Sequence, residues 1–550
     1  MGNTDFKDKV KSLLDNHKNI LNNPKRAELI QAAIDDREAI ETASGALATW
    51  TPKDSTGRSP NDTVIVKNGV SETKIDWTSP NNIPLRPDVF DALLEDALNI
   101  LSKKDKLYVT DKVIGAESNY ALPTKLITDK ALSALSCDNL FRETPDDIEK
   151  SVFHNKGFTL IALPYDKIDT KKYSGELRKK KNGKTSDMVI ALDCDRKIGL
   201  VYGSAYCGSM KKLLFTAMNY LLPDENILPL HCSANVDDKG NSALFLGLSG
   251  TGKTTLSTDA KRKMIGDDEH GWCNDGIANF EGGCYAKLID LDPKKEPEIH
   301  QAVFTKRQML ENGVIIENAM MYPNGKFDLY DDRLAQNSRA GYPLRFLTNI
   351  KEDSKAGHPK TILFLTADAN GVLPPISKLT KPQAMLWFMM GYTSKLAGTE
   401  VGITEPVSSF SRFFGQPFMP RNPEDYAKLL GEKMDKHNAN VFLLNTGWSG
   451  GPYGVGKRMD IVLTRRLVDA ALNGELDDVE YEEDELFHVL VPKSCEGVDD
   501  EILQPRNTWK DKREFDKRAE KLANDFLNHF YNAYGKANID EEIKKQCPGK

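Results

Sequence analysis

Gly247-Leu248-Ser249-Gly250-Thr251-Gly252-Lys253-Thr254 fits G-x-x-x-x-G-K-[ST] without a mismatch. The apolar residues 243–246 before it read as a strand and residues 254–262 after it as a helix, the context a phosphate-binding loop needs. Each residue type has a physical reason. Glycines let backbone N–H groups curl around phosphate oxygens, and the N-terminus of a following helix adds a favourable dipole. Lys253 is placed to reach the β- and γ-phosphates, and the Thr254 hydroxyl to ligate Mg²⁺. The motif says nucleotide and leaves the reaction open. The nearest acidic pair, Asp267-Asp268, lies only 14 and 15 residues beyond Lys253, after the short run Met264-Ile265-Gly266. Helicases, transporters and small GTPases end a long apolar strand on their metal-organising Asp, so this spacing argues against those classes.

Outward from the loop, strands and helices alternate. Residues 361–366 and 441–445 read as strands, and residues 382–396 and 465–472 as helices, which favours an α/β class with parallel or mixed sheet. Towards the N-terminus, Phe6, Val10, Leu13 and Leu14 recur at helical spacing, and residues 89–101 read as an amphipathic helix. Residues 106–113, 158–163 and 188–192 read as strands. A helix over residues 211–222 is ended by Pro223-Asp224, and the domain boundary is placed there. The expected architecture is α/β and two-lobed: an N-terminal α/β domain over residues 1–225 and a P-loop mononucleotide-binding α/β domain over residues 226–550, with the active site in the cleft. The basic run 178–184, which carries Asn182-Gly183 turn chemistry, reads as a solvated hairpin or loop rather than an anion site. The acidic run 475–485 reads as a solvated linker face.

Composition sets outer limits. The 550 residues carry 74 Lys and Arg against 81 Asp and Glu, a formal net charge of −7. That balance argues against nucleic-acid binding as the main task, which needs clustered cations. Apolar residues at 39% with 28% charged fit a globular chain that stays in water. The apolar stretch 384–392 is about half the ~20 residues a membrane helix needs. The N-terminus shows no secretory pattern, so the cytoplasm is the expected compartment. Eight scattered cysteines without a Cys-x-x-Cys pair read as buried thiols in a reducing compartment. Nothing marks a self-association surface, and a monomer is expected, without nucleic-acid or membrane partners.

Further segments gather around the loop: Tyr206-Cys207-Gly208-Ser209-Met210-Lys211-Lys212, His231-Cys232-Ser233-Ala234-Asn235 and Gly266-Asp267-Asp268-Glu269-His270-Gly271-Trp272. With Thr56-Gly57-Arg58-Ser59-Pro60, Phe280-Glu281-Gly282-Gly283-Cys284-Tyr285-Ala286-Lys287 and residues 364–375, 396–400 and 445–458, they make a joint pattern. The sequence resembles the ATP-dependent phosphoenolpyruvate carboxykinases over residues ~40–530. The resemblance implies decarboxylation of oxaloacetate and phosphorylation of the enolate by ATP, giving phosphoenolpyruvate, CO₂ and ADP, a gluconeogenic or anaplerotic step. It implies Mg²⁺ with the nucleotide and Mn²⁺ at a protein site. It places Lys212, His231 and Asp268 as Mn²⁺ ligands, and Arg58, Tyr206, Lys212 and Arg339 at the substrate. Gly247, Leu248, Ser249, Gly250, Thr251, Gly252, Lys253, Thr254 and Thr255 cradle the triphosphate. Lys287, Glu296, Arg339, Arg458, Met459 and Thr464 match positions at ATP, and Asp267 orders the Mg²⁺ shell through water. Arg58, Tyr206, Lys212, Lys253, Asp267 and Arg339 are the catalytic set that follows.

The chemistry of these side chains agrees with such roles. Loss of CO₂ from a β-keto acid leaves an enolate whose charge a nearby cation stabilises as Lewis acid. Lys212 can ligate a metal only as the neutral amine, a form that a neighbouring dication favours. Arg58 offers a planar fork suited to a carboxylate. Two other readings compete: a P-loop kinase without a decarboxylation site, and a nucleotide sensor without chemistry. Arg58 with Lys212, His231 and Asp268 argues against the first, and intact Lys253, Thr254, Asp267 and Asp268 against the second. One departure is visible, Ser209 where the family usually has Glu, and it could alter how Lys211 and Lys212 are oriented. Cys232 reads equally as a reactive or a packed thiol. Residues 391–406, rich in Gly and Thr, are expected to form a lid.

Overall fold

In a computed structural model, residues 3–395 and 407–550 are described. The chain divides into two units: Met1–Leu222 with Asn279–Asp353, and Pro223–Ala278 with Ser354–Lys550. The boundary expected near residue 225 lies beside the first crossing, but the stretch Asn279–Asp353 belongs with the first unit. Strand pairing gives the reason. Ile315–Glu317 pairs in parallel with Leu47–Thr49 and antiparallel with Arg339–Pro343, which in turn pairs with Gly283–Lys287. A five-stranded sheet therefore joins this stretch to the N-terminal segment.

The first unit also holds an eight-stranded mixed sheet in which Phe158–Leu163, Ile198–Tyr202 and Val189–Asp193 are central. The helix Pro87–Leu101 lays Val89, Phe90, Leu93, Leu94, Ala97 and Leu101 onto it, at the 3.6-residue spacing that the sequence shows. Full burial of such side chains contributes about 1.5–3 kcal/mol each. The helix Gly208–Leu221 starts directly after Tyr206-Cys207 and carries Lys211 and Lys212 in its first turns.

In the second unit, Ser242–Gly247, Pro359–Thr366 and Asn440–Asn445 pair in parallel at the middle of an eleven-stranded sheet. All six residues of Ser242–Gly247 are buried, as expected of a parallel strand covered on both faces. Its C-terminal end delivers the phosphate loop. The helix beyond the loop is shorter than expected: it covers Lys253–Ser257, not residues 254–262. Ser257 and Thr258 turn their hydroxyls back to the Thr254 carbonyl, and a tight Asp259–Arg262 bridge follows. Hydroxyl-to-backbone bonds of this kind compete with helix propagation. A helix this short carries little macrodipole, so the loop's own N–H groups are the stronger anion-attracting element.

The helix expected over residues 382–396 also ends early. Lys381–Met390 is helical, opened by a capping box between Thr380 and Gln383. Gly391 takes φ 56°, a left-handed stop, and the chain continues as the strand Tyr392–Lys395, paired with Val407–Phe410. Most of the expected lid, residues 396–406, lies outside the described residues. The acidic run 475–485 is more than a linker face, since Tyr481–Glu483 forms an edge strand of the large sheet. Among the described residues, no helix is long and apolar enough to cross a membrane.

Candidate functional site

The first unit assembles its side chains around Asn337. The Asn337 amide nitrogen lies 3.3 Å from the Tyr206 hydroxyl and 3.5 Å from the Thr56 carbonyl. Its carbonyl oxygen accepts from Arg339 Nε at 3.0 Å and Nη2 at 2.8 Å. Tyr206, Arg339 and the turn carrying Arg58 therefore share one side chain that the sequence reading did not single out. Arg58 itself is exposed. Tyr285 packs edge-on to Tyr206 with ring centres 5.5 Å apart, and its carbonyl accepts from Arg339 Nη1 at 3.3 Å. The Tyr285 hydroxyl donates to Glu317, which also accepts from the Cys207 N–H at 3.1 Å. Burial pushes the Glu317 carboxyl up from its ordinary range, and the Tyr285 phenol likewise, because neither charge is solvated there.

Lys212 lies one turn into its helix, with Nζ 4.8 Å from the centre of the Phe215 ring. Its neighbour Lys211 pairs with Glu281 at 3.0 Å, both side chains being buried. Ser209 meets the Ser204 hydroxyl at 2.9 Å. The small polar residue is thus accommodated by a hydroxyl pair, and Lys211 keeps a carboxylate partner from the connection before Gly283–Lys287. Lys287 is exposed, at the end of Gly283–Lys287 and in register with Arg339. Glu296 stands just before the helix Pro297–Phe304, its side chain making no capping bond and its carboxyl pushed up first by burial and then by Asp292.

In the second unit, Gly250 and Gly252 take φ 85° and 92°, values that side-chain-bearing residues rarely adopt and that the loop's curl requires. Hydrogen bonds to its carbonyls hold the loop from outside. Arg458 Nη2 donates to Gly250 O at 2.9 Å, Thr446 to Thr251 O at 3.0 Å, and Arg465 Nη2 to Thr255 O at 3.0 Å. Thr251 folds its hydroxyl onto Leu248 O at 2.8 Å. Arg458 also donates to Thr446 O at 3.1 Å, and Met459 N–H to Gly447 O at 2.8 Å. Thr464 is buried in the first turn of Ile461–Asn473, bonded to Asp460 O. Thr446 and Arg465 escaped the sequence reading, because a residue that grips backbone carbonyls leaves no motif.

Asp268 is the electrostatic centre of this unit. One of its oxygens lies 3.0 Å from both His231 Nε2 and Lys253 Nζ. His231 Nδ1 is 2.6 Å from the Phe414 carbonyl, which can only accept, so Nδ1 carries the hydrogen. The Nε2 lone pair would then face a carboxylate and repel it unless a proton or a cation stands between them. A carbonyl-fixed imidazole presenting its other nitrogen beside a carboxylate is a donor set that fits a divalent metal. Phe414 was not foreseen, since a main-chain carbonyl 183 residues away leaves no trace in sequence. Asp267 is fixed through its carbonyl, which accepts from Ser233 at 2.6 Å. Cys232 is buried and its thiol is pushed up by desolvation, so it is a packed thiol.

A family model for phosphoenolpyruvate carboxykinase matches residues 18–501. The chain belongs to the phosphoenolpyruvate carboxykinase family. It is 48% identical over 520 residues to the phosphoenolpyruvate carboxykinase (ATP) of Geobacillus kaustophilus (strain HTA426), covering 94% of each chain. The protein of that name from Rhizobium rhizogenes (strain K84 / ATCC BAA-868) is 46% identical over 523 residues, covering 95% of this chain and 93% of the relative. That of Bacillus subtilis (strain 168) is 44% identical over 513 residues, covering 93% and 94%. Membership in this phosphoenolpyruvate carboxykinase family spans both units, so neither the Asn337 cluster nor the phosphate loop stands outside the match.

Proposed function

We propose that this chain is an enzyme converting oxaloacetate and ATP to phosphoenolpyruvate, CO₂ and ADP. The observation that carries this reading is the shared Asp268 carboxylate, which joins Lys253 of the phosphate loop to a carbonyl-fixed His231 in a family member. The bond from the β-carboxylate to its neighbouring carbon breaks, CO₂ leaves, and the electron pair becomes the enolate. The enolate oxygen then attacks the γ-phosphorus, the β,γ-bridging P–O bond breaks, and ADP leaves.

Arg58 grips a substrate carboxylate through its planar fork, which Lys cannot reproduce. Tyr206, its hydroxyl held by Asn337, donates to the substrate. Gly247, Leu248, Ser249, Gly250, Thr251, Gly252, Lys253, Thr254 and Thr255 hold the triphosphate, with Lys287, Glu296, Arg458, Met459 and Thr464 at the rest of ATP. Lys253 and Arg339 spread the charge of the transferred phosphoryl group, where catalysis is positioning and electrostatics. Mn²⁺ would be held by Lys212, His231 and Asp268, and Mg²⁺ by Thr254, with Asp267 ordering its shell through water. When bound, the cations supply Lewis-acid stabilisation of developing negative charge. The enzyme acts on small molecules as a cytoplasmic monomer.

The test is purified chain with oxaloacetate, ATP, Mg²⁺ and Mn²⁺, following phosphoenolpyruvate and ADP. Formation of both is expected. ATP binding without product would favour a nucleotide sensor.

A further inference from the structure

The basic run 178–184 folds as a short hairpin, with Lys179 bridged to Thr185 and the turn closed by Gly183 N–H on Lys180 O at 2.8 Å. Lys179, Lys181 and Lys184 are exposed, but Arg178 and Lys180 are turned onto carboxylates. Arg178 forks onto Asp62, with Nε to Oδ1 at 2.8 Å and Nη2 to Oδ2 at 2.7 Å. The Asp62 side chain is 0% exposed, so this is a desolvated, two-bond contact rather than a surface pair. The Ser59 hydroxyl donates to the same carboxylate. Lys180 reaches Asp54 at 3.1 Å and is itself steadied by Asp187 at 2.6 Å.

Asp54 lies four residues before Arg58 and Asp62 four residues after it. Asp54 is in the turn Lys53–Ser55 and Asp62 in the turn Pro60–Asp62, so the hairpin grips both turns that flank an exposed arginine. On the inner side Asn337 bonds the Thr56 carbonyl. The segment is thus fixed at three points around Arg58.

We infer that the hairpin is a positioning device for Arg58, with Arg178 and Asp62 as the positioning residues for carboxylate recognition. The inference deepens the proposed function and rests on its assignment of Arg58 to oxaloacetate. Two of the hairpin's cations already have carboxylate partners, which removes the anion-site reading for them. A lysine at 178 keeps the charge but cannot reproduce the fork. A small displacement of a substrate-gripping group is costly, with a 1 Å error reaching roughly a hundredfold in rate.

Steady-state kinetics with oxaloacetate and ATP varied separately test the idea on wild type, Arg178→Met, Arg178→Lys, Arg58→Met and the Arg58→Met/Arg178→Met double variant. Arg178→Met is expected to raise KM for oxaloacetate about tenfold or more. KM for ATP should stay within about twofold, and the melting temperature should fall, because Asp62 is left buried without its cation. Arg178→Lys should fall between, and in the Arg58→Met background the 178 substitution should add nothing. The inference is overturned by an unchanged KM for oxaloacetate, by parallel rises in both KM values, or by full additivity in the double variant. A wild-type chain that makes no phosphoenolpyruvate overturns the functional reading itself, and this inference with it. An active wild type with an indifferent Arg178→Met overturns this inference alone.

Discussion

Arg458→Ala removes the outer brace of the phosphate loop, and its effect can be sized from the contacts. The guanidinium donates to Gly250 O at 2.9 Å and to Thr446 O at 3.1 Å, and lies 5.6 Å from the centre of the Trp448 ring. A hydrogen bond from a charged donor contributes about 1.5–3 kcal/mol when sheltered. Arg458 is exposed, so about 1 kcal/mol for each is the discounted figure. The ring contact adds about 0.5 kcal/mol. The sum, roughly 2–2.5 kcal/mol, is a factor of about 30–60 at 1.4 kcal/mol per decade. ATP binding must then order a loop that the native chain holds ready, so KM for ATP should rise about 30-fold or more, before any direct contact with ATP is counted. KM for oxaloacetate should stay near wild type. Arg458→Lys, able to keep one of the two bonds, should show a rise of about tenfold. The assay is initial rate against ATP at saturating oxaloacetate, with fluorescent-nucleotide binding as a check without turnover. An Arg458→Ala enzyme with KM for ATP within twofold of wild type would refute the bracing argument, as would an equal rise for both substrates.

Three further outcomes are expected. Asp268→Asn, which removes the charge facing His231 and Lys253, should abolish the Mn²⁺ response while nucleotide binding persists; Mn²⁺ titration by electron paramagnetic resonance reads the first and fluorescent nucleotide the second. All eight cysteines are free and buried, so the native protein should react slowly with a disulfide reagent at pH 8, whereas denatured chain should titrate eight thiols within minutes. Rapid modification of Cys232 in the native state would contradict the burial that keeps its thiol protonated. His529 stacks on Phe410 at 4.3 Å, and burial, helped by Arg412, lowers its pKa from 6.5 to about 4. A base with a depressed folded-state value takes up its proton first in the unfolded chain, so its contribution is intact above pH 6.5 and lost as pH falls towards 4. The loss reaches up to about 3 kcal/mol, less where solvent screens the ring. His529→Gln should flatten that acid limb in urea unfolding, and an unchanged slope would remove His529 as its source.

How much of this was legible depended on how local the physics is. The loop from Gly247 to Thr254 could be read because its curl is set locally, by Gly250 and Gly252 at the end of a buried strand. The helix after it was over-extended because apolar spacing and propensity do not register the hydroxyls of Ser257 and Thr258 folding back on Thr254. The run 382–396 misled for a related reason: Ala384 to Met390 is apolar throughout, and only the left-handed Gly391 separates helix from strand. The assignment of Asn279–Asp353 to the first unit rests on Ile315–Glu317 pairing with Leu47–Thr49, a contact between segments far apart in the chain. Asn337, Phe414, Thr446 and Arg465 share one property. They act through backbone carbonyls or as shared hydrogen-bond partners, and a single sequence does not mark such residues. The basic run 178–184 reads in sequence as a solvated hairpin or loop; the hairpin is there, but Arg178 and Lys180 are paired rather than solvated, and their partners Asp62 and Asp54 became visible only in three dimensions.

Decarboxylation of oxaloacetate coupled to phosphoryl transfer has a fixed stoichiometry, which one reaction mixture can read. Purified chain, oxaloacetate and ATP with Mg²⁺ and Mn²⁺ are followed by phosphorus-31 NMR while released CO₂ is trapped and counted. Each γ-phosphoryl lost from ATP is expected to appear in phosphoenolpyruvate, with one ADP and one enzyme-dependent CO₂ for each. ATP consumed to inorganic phosphate, or CO₂ released without phosphoenolpyruvate, would contradict it.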